Sequence, residues 1–103
     1  MNAAQASSAR IGVDIGGTRI KAARVLDGVV QARSVAELSA ASQTPEGLAA
    51  AVAQVVGPLA EGATKLGAGV AAVIGSDDAT VLASPNMPFL DGTDLANALE
   101  QAT

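Results

Sequence analysis

The chain has 103 residues, half of them hydrophobic, a net charge of −4, and neither cysteine nor histidine. That length is enough for one core and one small domain, and short for a two-domain catalyst. The acidic balance excludes the electrostatic footprint of a nucleic-acid binder; the missing Cys and His exclude disulfides, thiolate metal sites and imidazole base chemistry.

Residues 1–9 are small and polar without periodicity and read as a disordered tail, and residues 10–103 as the domain. The tail lacks the apolar segment of a signal peptide, and no apolar run is long enough to cross a bilayer. A cytoplasmic protein with no membrane partner is the expectation. Phe89 is the only aromatic residue, so the core must be built from Ala, Val, Leu and Ile.

Ile11, Val13 and Ile15 alternate with Gly12, Asp14 and Gly16, the period of a strand, and the strand ends at Gly16-Gly17. A second strand is expected over residues 18–26. Asp27-Gly28 is a tight-turn dipeptide, and a third strand follows over residues 29–35, giving an antiparallel meander. The period then changes. Thr44 is suited to cap a helix, Pro45 to open it and Glu46 to complement its dipole. Leu48, Val52, Val55 and Leu59 form one apolar face, and Gly57-Pro58 predicts a kink or an end.

Residues 66–74 read as one buried strand, 75–78 as a turn, 80–83 as a short strand and 84–88 as a rigid loop. A second helix is expected to start near Thr93 or Asp94, with Leu95, Ala98 and Leu99 on one face.

The glycine turn is the chemically informative segment. Gly16 and Gly17 carry no Cβ, so backbone N–H groups there can approach an anion; Thr18 adds a hydroxyl, and Asp14 a hard oxygen suited to Mg²⁺. A P-loop would need a lysine after the glycines, and a dinucleotide fingerprint a different glycine spacing opening a helix. What remains is strand, Asp-x-Gly-Gly-Thr turn, strand. The same glycines would also serve a plain β-hairpin. Asp14 favours the phosphate reading, because a carboxylate within so apolar a strand needs a partner to offset desolvation. Arg10, Arg19, Lys21 and Arg24 lie close to the turn in sequence and are expected to give it a local positive field.

Asp14-Ile15-Gly16-Gly17-Thr18-Arg19-Ile20-Lys21 resembles the first phosphate motif of the ROK family, named for repressors, open reading frames and kinases. That family lies in the superfamily of actin-like ATPases, sugar kinases and heat-shock chaperones. The element order is similar to the family's throughout, and Ser84-Pro85-Asn86-Met87-Pro88 resembles its Ser-Pro-Asn-Leu-Pro segment, whose asparagine binds sugar hydroxyls. The resemblance implies an α/β, actin-like ATPase (ribonuclease H-like) domain: a three-strand meander, then a helix and further strands in a mixed sheet, incomplete in this chain. It implies ATP and Mg²⁺ as cofactors, with Gly16, Gly17, Thr18 and Arg19 at the ATP phosphates and Asp14 at the metal. Asn86 would contact a hexose or amino-hexose. An amide is both donor and acceptor, as a diol requires, although Asn86 also suits a simple turn.

Two departures from the family matter. Its Pro-Gly pair against the sugar corresponds here to Ala71-Ala72, so that Ala72 would place a Cβ at the sugar pocket. The catalytic aspartate of its Asn-Asp-x-Asn-like segment has no counterpart. Asp94-Leu95-Ala96-Asn97 mimics it but reads as a helix N-terminal turn. The implied protein is the N-terminal part of an ATP-dependent sugar kinase, homodimeric as the full-length parent and inactive as this chain alone. The alternatives are part of a ROK-type sugar-responsive repressor, whose winged-helix domain would precede the glycine strand, or a non-catalytic binding module of the same fold.

Overall fold

The computed structural model of the chain describes residues 9–70 and 72–103. Strands β1 (Ala9–Ile15), β2 (Arg19–Leu26) and β3 (Val29–Glu37) form the antiparallel meander, and β4 (Ala63–Val70) returns parallel to β1, giving a sheet of order β3-β2-β1-β4. Helix α1 (Pro45–Val56) makes the crossover between β3 and β4. A small antiparallel hairpin, β5 (Val73–Ile74) and β6 (Val81–Ala83), precedes helix α2 (Leu95–Ala102). The α/β architecture with a mixed sheet is the one the sequence implies.

Strict alternation builds the core. Ala9, Ile11, Val13 and Ile15 of β1 and Ile20 and Ala22 of β2 are buried on one face, where they meet Leu48, Val52, Val55 and Leu59 of α1 and the turn after it. Leu95 and Leu99 of α2 complete the same cluster. Thr44 caps α1, its Oγ1 accepting from Gly47 N at 3.0 Å, and Gly57-Pro58 ends the regular helix in a tighter turn. Asp27 (φ 52°) and Gly28 (φ 79°) adopt the left-handed pair that a two-residue hairpin requires. No helix among the described residues is long and apolar enough to cross a membrane.

Three expectations need correction. Ala9, placed in the expected tail, opens β1 and is buried, because its methyl lies on the core face beside Ala63; residues 1–8 lie outside those described. Residues 66–74 are not one buried strand. Strand β4 stops at Val70 and is largely exposed, since it is an edge strand, and Val73–Ile74 turns away to pair with β6. The basic residues also disperse. Ile15 and Ile20 flank the turn, whereas Arg10 pairs with Val25 at the far end of the ribbon. Arg24 points to the helix side, donating to the carbonyls of Leu59 (2.7 Å) and Glu61 and to Gln31 Oε1 (3.0 Å). It satisfies carbonyls left open where the helical segment ends.

Candidate functional site

Residues 16–18 connect β1 to β2 in a tight reversal. Gly16 N donates to Arg19 O at 3.0 Å, and a Cβ on Gly16 would lie 3.0 Å from that same carbonyl, so a glycine is needed for the chain to close this tightly. The Gly16 amide is therefore committed to the turn. Gly17 and Thr18 retain the amides available to a ligand, next to the exposed Thr18 side chain. Thr18 O accepts from Leu38 N at 2.8 Å, tying the turn to the end of β3. Arg19 at the start of β2 pairs with Glu37 at 3.4 Å, an exposed contact worth at most about 1 kcal/mol.

Asp14 occupies the strand position just before Ile15 and is exposed on the face of the sheet away from the helices, opposite Lys21 on β2. The expected desolvation of this carboxylate is thus not found: alternation within β1 sends Ile15 into the core and Asp14 to the open side. Its availability to a cation rests on that exposure.

The second element of the site is the loop after β6. Met87 and Leu90 are buried at 2% and 0% exposure and pin the loop, while Asn86 between Pro85 and Met87 stays exposed. Asp91 Oδ1 accepts from Ser84 N at 3.0 Å, Met87 N donates to Ser84 O at 3.3 Å, and Gly92 (φ 80°) donates to Val81 O at 2.7 Å. The loop is closed from both ends before Asn86 presents its amide.

The two elements meet. A Cβ built on Gly17 would lie 3.6 Å from Asn86 Cβ and 4.0 Å from its Cγ. Residues 69 positions apart in the chain, singled out separately for a phosphate and a sugar, are thus neighbours. Ala72 lies in the bend after β4, partly buried against the core, and Ala71 lies outside the described residues. Asp94 caps α2, its Oδ1 accepting from Asn97 N at 3.0 Å, so the Asp94 to Asn97 segment is a helix start as expected. Sequence reasoning missed Asp91 as the residue that closes the Asn86 loop. Asp91-Gly92 repeats the turn signal used at Asp27-Gly28 and could have located it.

A sequence model of the ROK family matches residues 10–103. Among solved structures, the chain is similar to a ROK family glucokinase from Streptomyces griseus in complex with glucose and AMPPNP. The identity is 32% and the TM-score 0.77, over 91% of this chain and 30% of that one. It is also similar to an inorganic polyphosphate/ATP-glucomannokinase from Arthrobacter sp. strain KM. Here the identity is 28% and the TM-score 0.80, over 93% of this chain and 41% of that one. The chain therefore spans less than half the length of either relative. The comparison with curated protein sequences gives no match.

Proposed function

Because the chain belongs to the ROK family, we propose that it is the N-terminal portion of an ATP-dependent hexose or amino-hexose kinase, in which residues 10–103 hold the phosphates and part of the sugar. The observation that carries this reading is the proximity of Asn86 to Gly17, close enough that a Cβ on Gly17 would be in van der Waals contact with it. Phosphoryl transfer is mostly positioning: the acceptor hydroxyl must lie in line with the terminal phosphate, and charge must be spread over fixed donors. The Gly17 and Thr18 amides and the Thr18 hydroxyl would receive phosphate oxygens. Asn86, across a gap of one atom's width, would orient a sugar diol. Arg19 is the cation nearest the turn.

Magnesium suits the donor set. Asp14 is a single exposed carboxylate, and no group of three or more candidate metal ligands occurs among the described residues. Mg²⁺ keeps several waters and takes one or two carboxylates together with substrate phosphates, so one aspartate beside a phosphate turn is an adequate protein share. When bound, the ion supplies neutralisation of phosphate charge.

No residue placed at this site is available as a general base, and loss of such a base typically forfeits about 10²–10⁴-fold in rate. Purified chain mixed with ATP, Mg²⁺ and glucose is therefore expected to give no sugar phosphate above a protein-free control. Glucose alone should shift the amide resonances of Ser84, Asn86 and Met87. Sustained turnover would refute the assignment of this chain as an incomplete site, and glucose shifts confined to other residues would refute the sugar assignment.

A further inference from the structure

Strand β3 forms one edge of the sheet, with β2 on its inner side and no strand among the described residues on its outer side. Its nine residues include neither proline nor lysine, the usual guards of a free edge. The one irregularity comes early. The register slips between Arg24 and Val25, leaving Gln31 as an extra residue, and from Ala32 to Glu37 the pairing with β2 is continuous. Val35, within that regular stretch, is 57% exposed.

The end of the ladder fixes which backbone groups point outward. Leu38 N donates to Thr18 O at 2.8 Å, one step beyond the Arg19 and Glu37 pair, so residue 38 turns its backbone toward β2. In an antiparallel ladder the residues that turn both N–H and C=O to one neighbour alternate. Ala36, Ser34 and Ala32 therefore face β2, and Arg33, Val35 and Glu37 turn their N–H and C=O groups outward. The side chains of these same three residues are exposed on the helix-free side of the sheet. A basic, an apolar and an acidic residue thus alternate along the open edge.

We propose that this edge pairs antiparallel with the same edge of a second copy of the chain, about a two-fold axis at Val35. That register sets Val35 against the partner's Val35, Arg33 against the partner's Glu37 and Glu37 against the partner's Arg33, each pair exchanging both backbone bonds. An axis at Arg33 or at Glu37 would oppose like charges, and an axis at Ser34 or Ala36 would set a charged residue against Val35. Glu37 already pairs with Arg19 at 3.4 Å, so the partner's Arg33 would complete a row of alternating sign. The opposite edge lacks this complementarity: β4 carries Lys65 and no acid, so a two-fold pairing along it offers the lysine no carboxylate. A two-fold contact uses up the β3 edge and closes at two copies. It is independent of the kinase reading, since it rests on the outer edge of β3 and not on the turn or Asn86.

The test is sedimentation of the whole chain over a range of concentrations, with amide hydrogen exchange on the same samples. A monomer and dimer in equilibrium are expected. With rising concentration the amides of Arg33, Val35 and Glu37 should gain protection, while those of Ser34 and Ala36, already turned to β2, change little. Arg33→Glu and Glu37→Arg should each weaken the dimer by about tenfold or more with circular dichroism unchanged, since each sets like charges opposite on both sides of the axis. Mixed together, the two variants should pair with each other, because every facing charge is then opposite. Val35→Lys, which places two lysines at the axis, should leave a folded monomer. A chain that stays monomeric at every concentration, an assembly that grows beyond two copies, or charge variants that fail to pair when mixed would overturn the proposal. So would a dimer that Val35→Lys leaves intact or in which Arg33, Val35 and Glu37 stay unprotected.

Discussion

Gly17→Ala separates folding from ligand binding more cleanly than any other change at the turn. Its methyl would lie 3.6 Å from Asn86 Cβ and 4.0 Å from Cγ, ordinary van der Waals distances, so the folded chain accepts it. Gly17 does not have positive φ, and removing a glycine from the unfolded ensemble is worth about 0.4–1 kcal/mol where the backbone is compatible. Stability should therefore hold or rise slightly. The same methyl fills the gap in which a phosphate oxygen must approach the amides. Affinity for Mg²⁺·AMPPNP, followed by amide shifts at Thr18 and Arg19, should fall by about tenfold, the equivalent of one charge-assisted hydrogen bond lost. Gly16→Ala is the control. Its Cβ would meet the Arg19 carbonyl at 3.0 Å, and moving backbone should cost about 1–3 kcal/mol in urea unfolding. If Gly17→Ala bound the nucleotide as tightly as the parent chain, the turn would not be the phosphate cradle.

Gly47→Ala inverts the usual helix rule: alanine is favoured by about 0.8–1.0 kcal/mol in a helix interior, but here its Cβ would collide with the Ala41 carbonyl. The urea midpoint should fall, and a rise would contradict the packing described for the α1 start. Met87→Ala should cost about 2–5 kcal/mol and loosen the Asn86 loop, seen as faster amide exchange at Asn86 than at Val52. Thr80, through its hydroxyl (2.6 Å) and its N–H (2.9 Å), and Ala79 N–H hold the Asp77 carboxyl down at about 2 from the usual 3.8. Because the folded-state pKa is depressed, the contribution is present above pH 3.8 and is lost as pH falls toward about 2. The resonances of Ala79 and Thr80 should move in that window, and Asp77→Asn should abolish the change.

Much of the fold is local chemistry and was legible for that reason. Thr44-Pro45-Glu46, Asp27-Gly28 and the spacing of Leu48, Val52 and Val55 each act within a turn or two of chain, and each lies where its chemistry puts it. The errors are long-range. Whether residues 66–74 form one strand depends on neighbours: β4 has β1 on one side only, and β6 draws Val73–Ile74 away. Burial of Asp14 could not be judged from an apolar neighbourhood in sequence, because alternation puts neighbours on opposite faces. Arg24 is close to the turn in sequence, yet β2 sends it toward the carbonyls of Leu59 and Glu61. The candidate site was legible as two separate segments. That Asn86 lies beside Gly17 is set by how β6 and its loop pack on the core, which no local pattern encodes.

Paramagnetic broadening reads that proximity directly. With Mn²⁺ in place of Mg²⁺ and AMPPNP bound, the amides of Asp14, Gly17 and Thr18 should broaden together with Asn86, while Val29 at the far end of the sheet and Ala102 stay sharp. Broadening of the turn without Asn86, or of Asp77 and Asp78 in place of the turn, would contradict a single site that holds phosphate and sugar side by side.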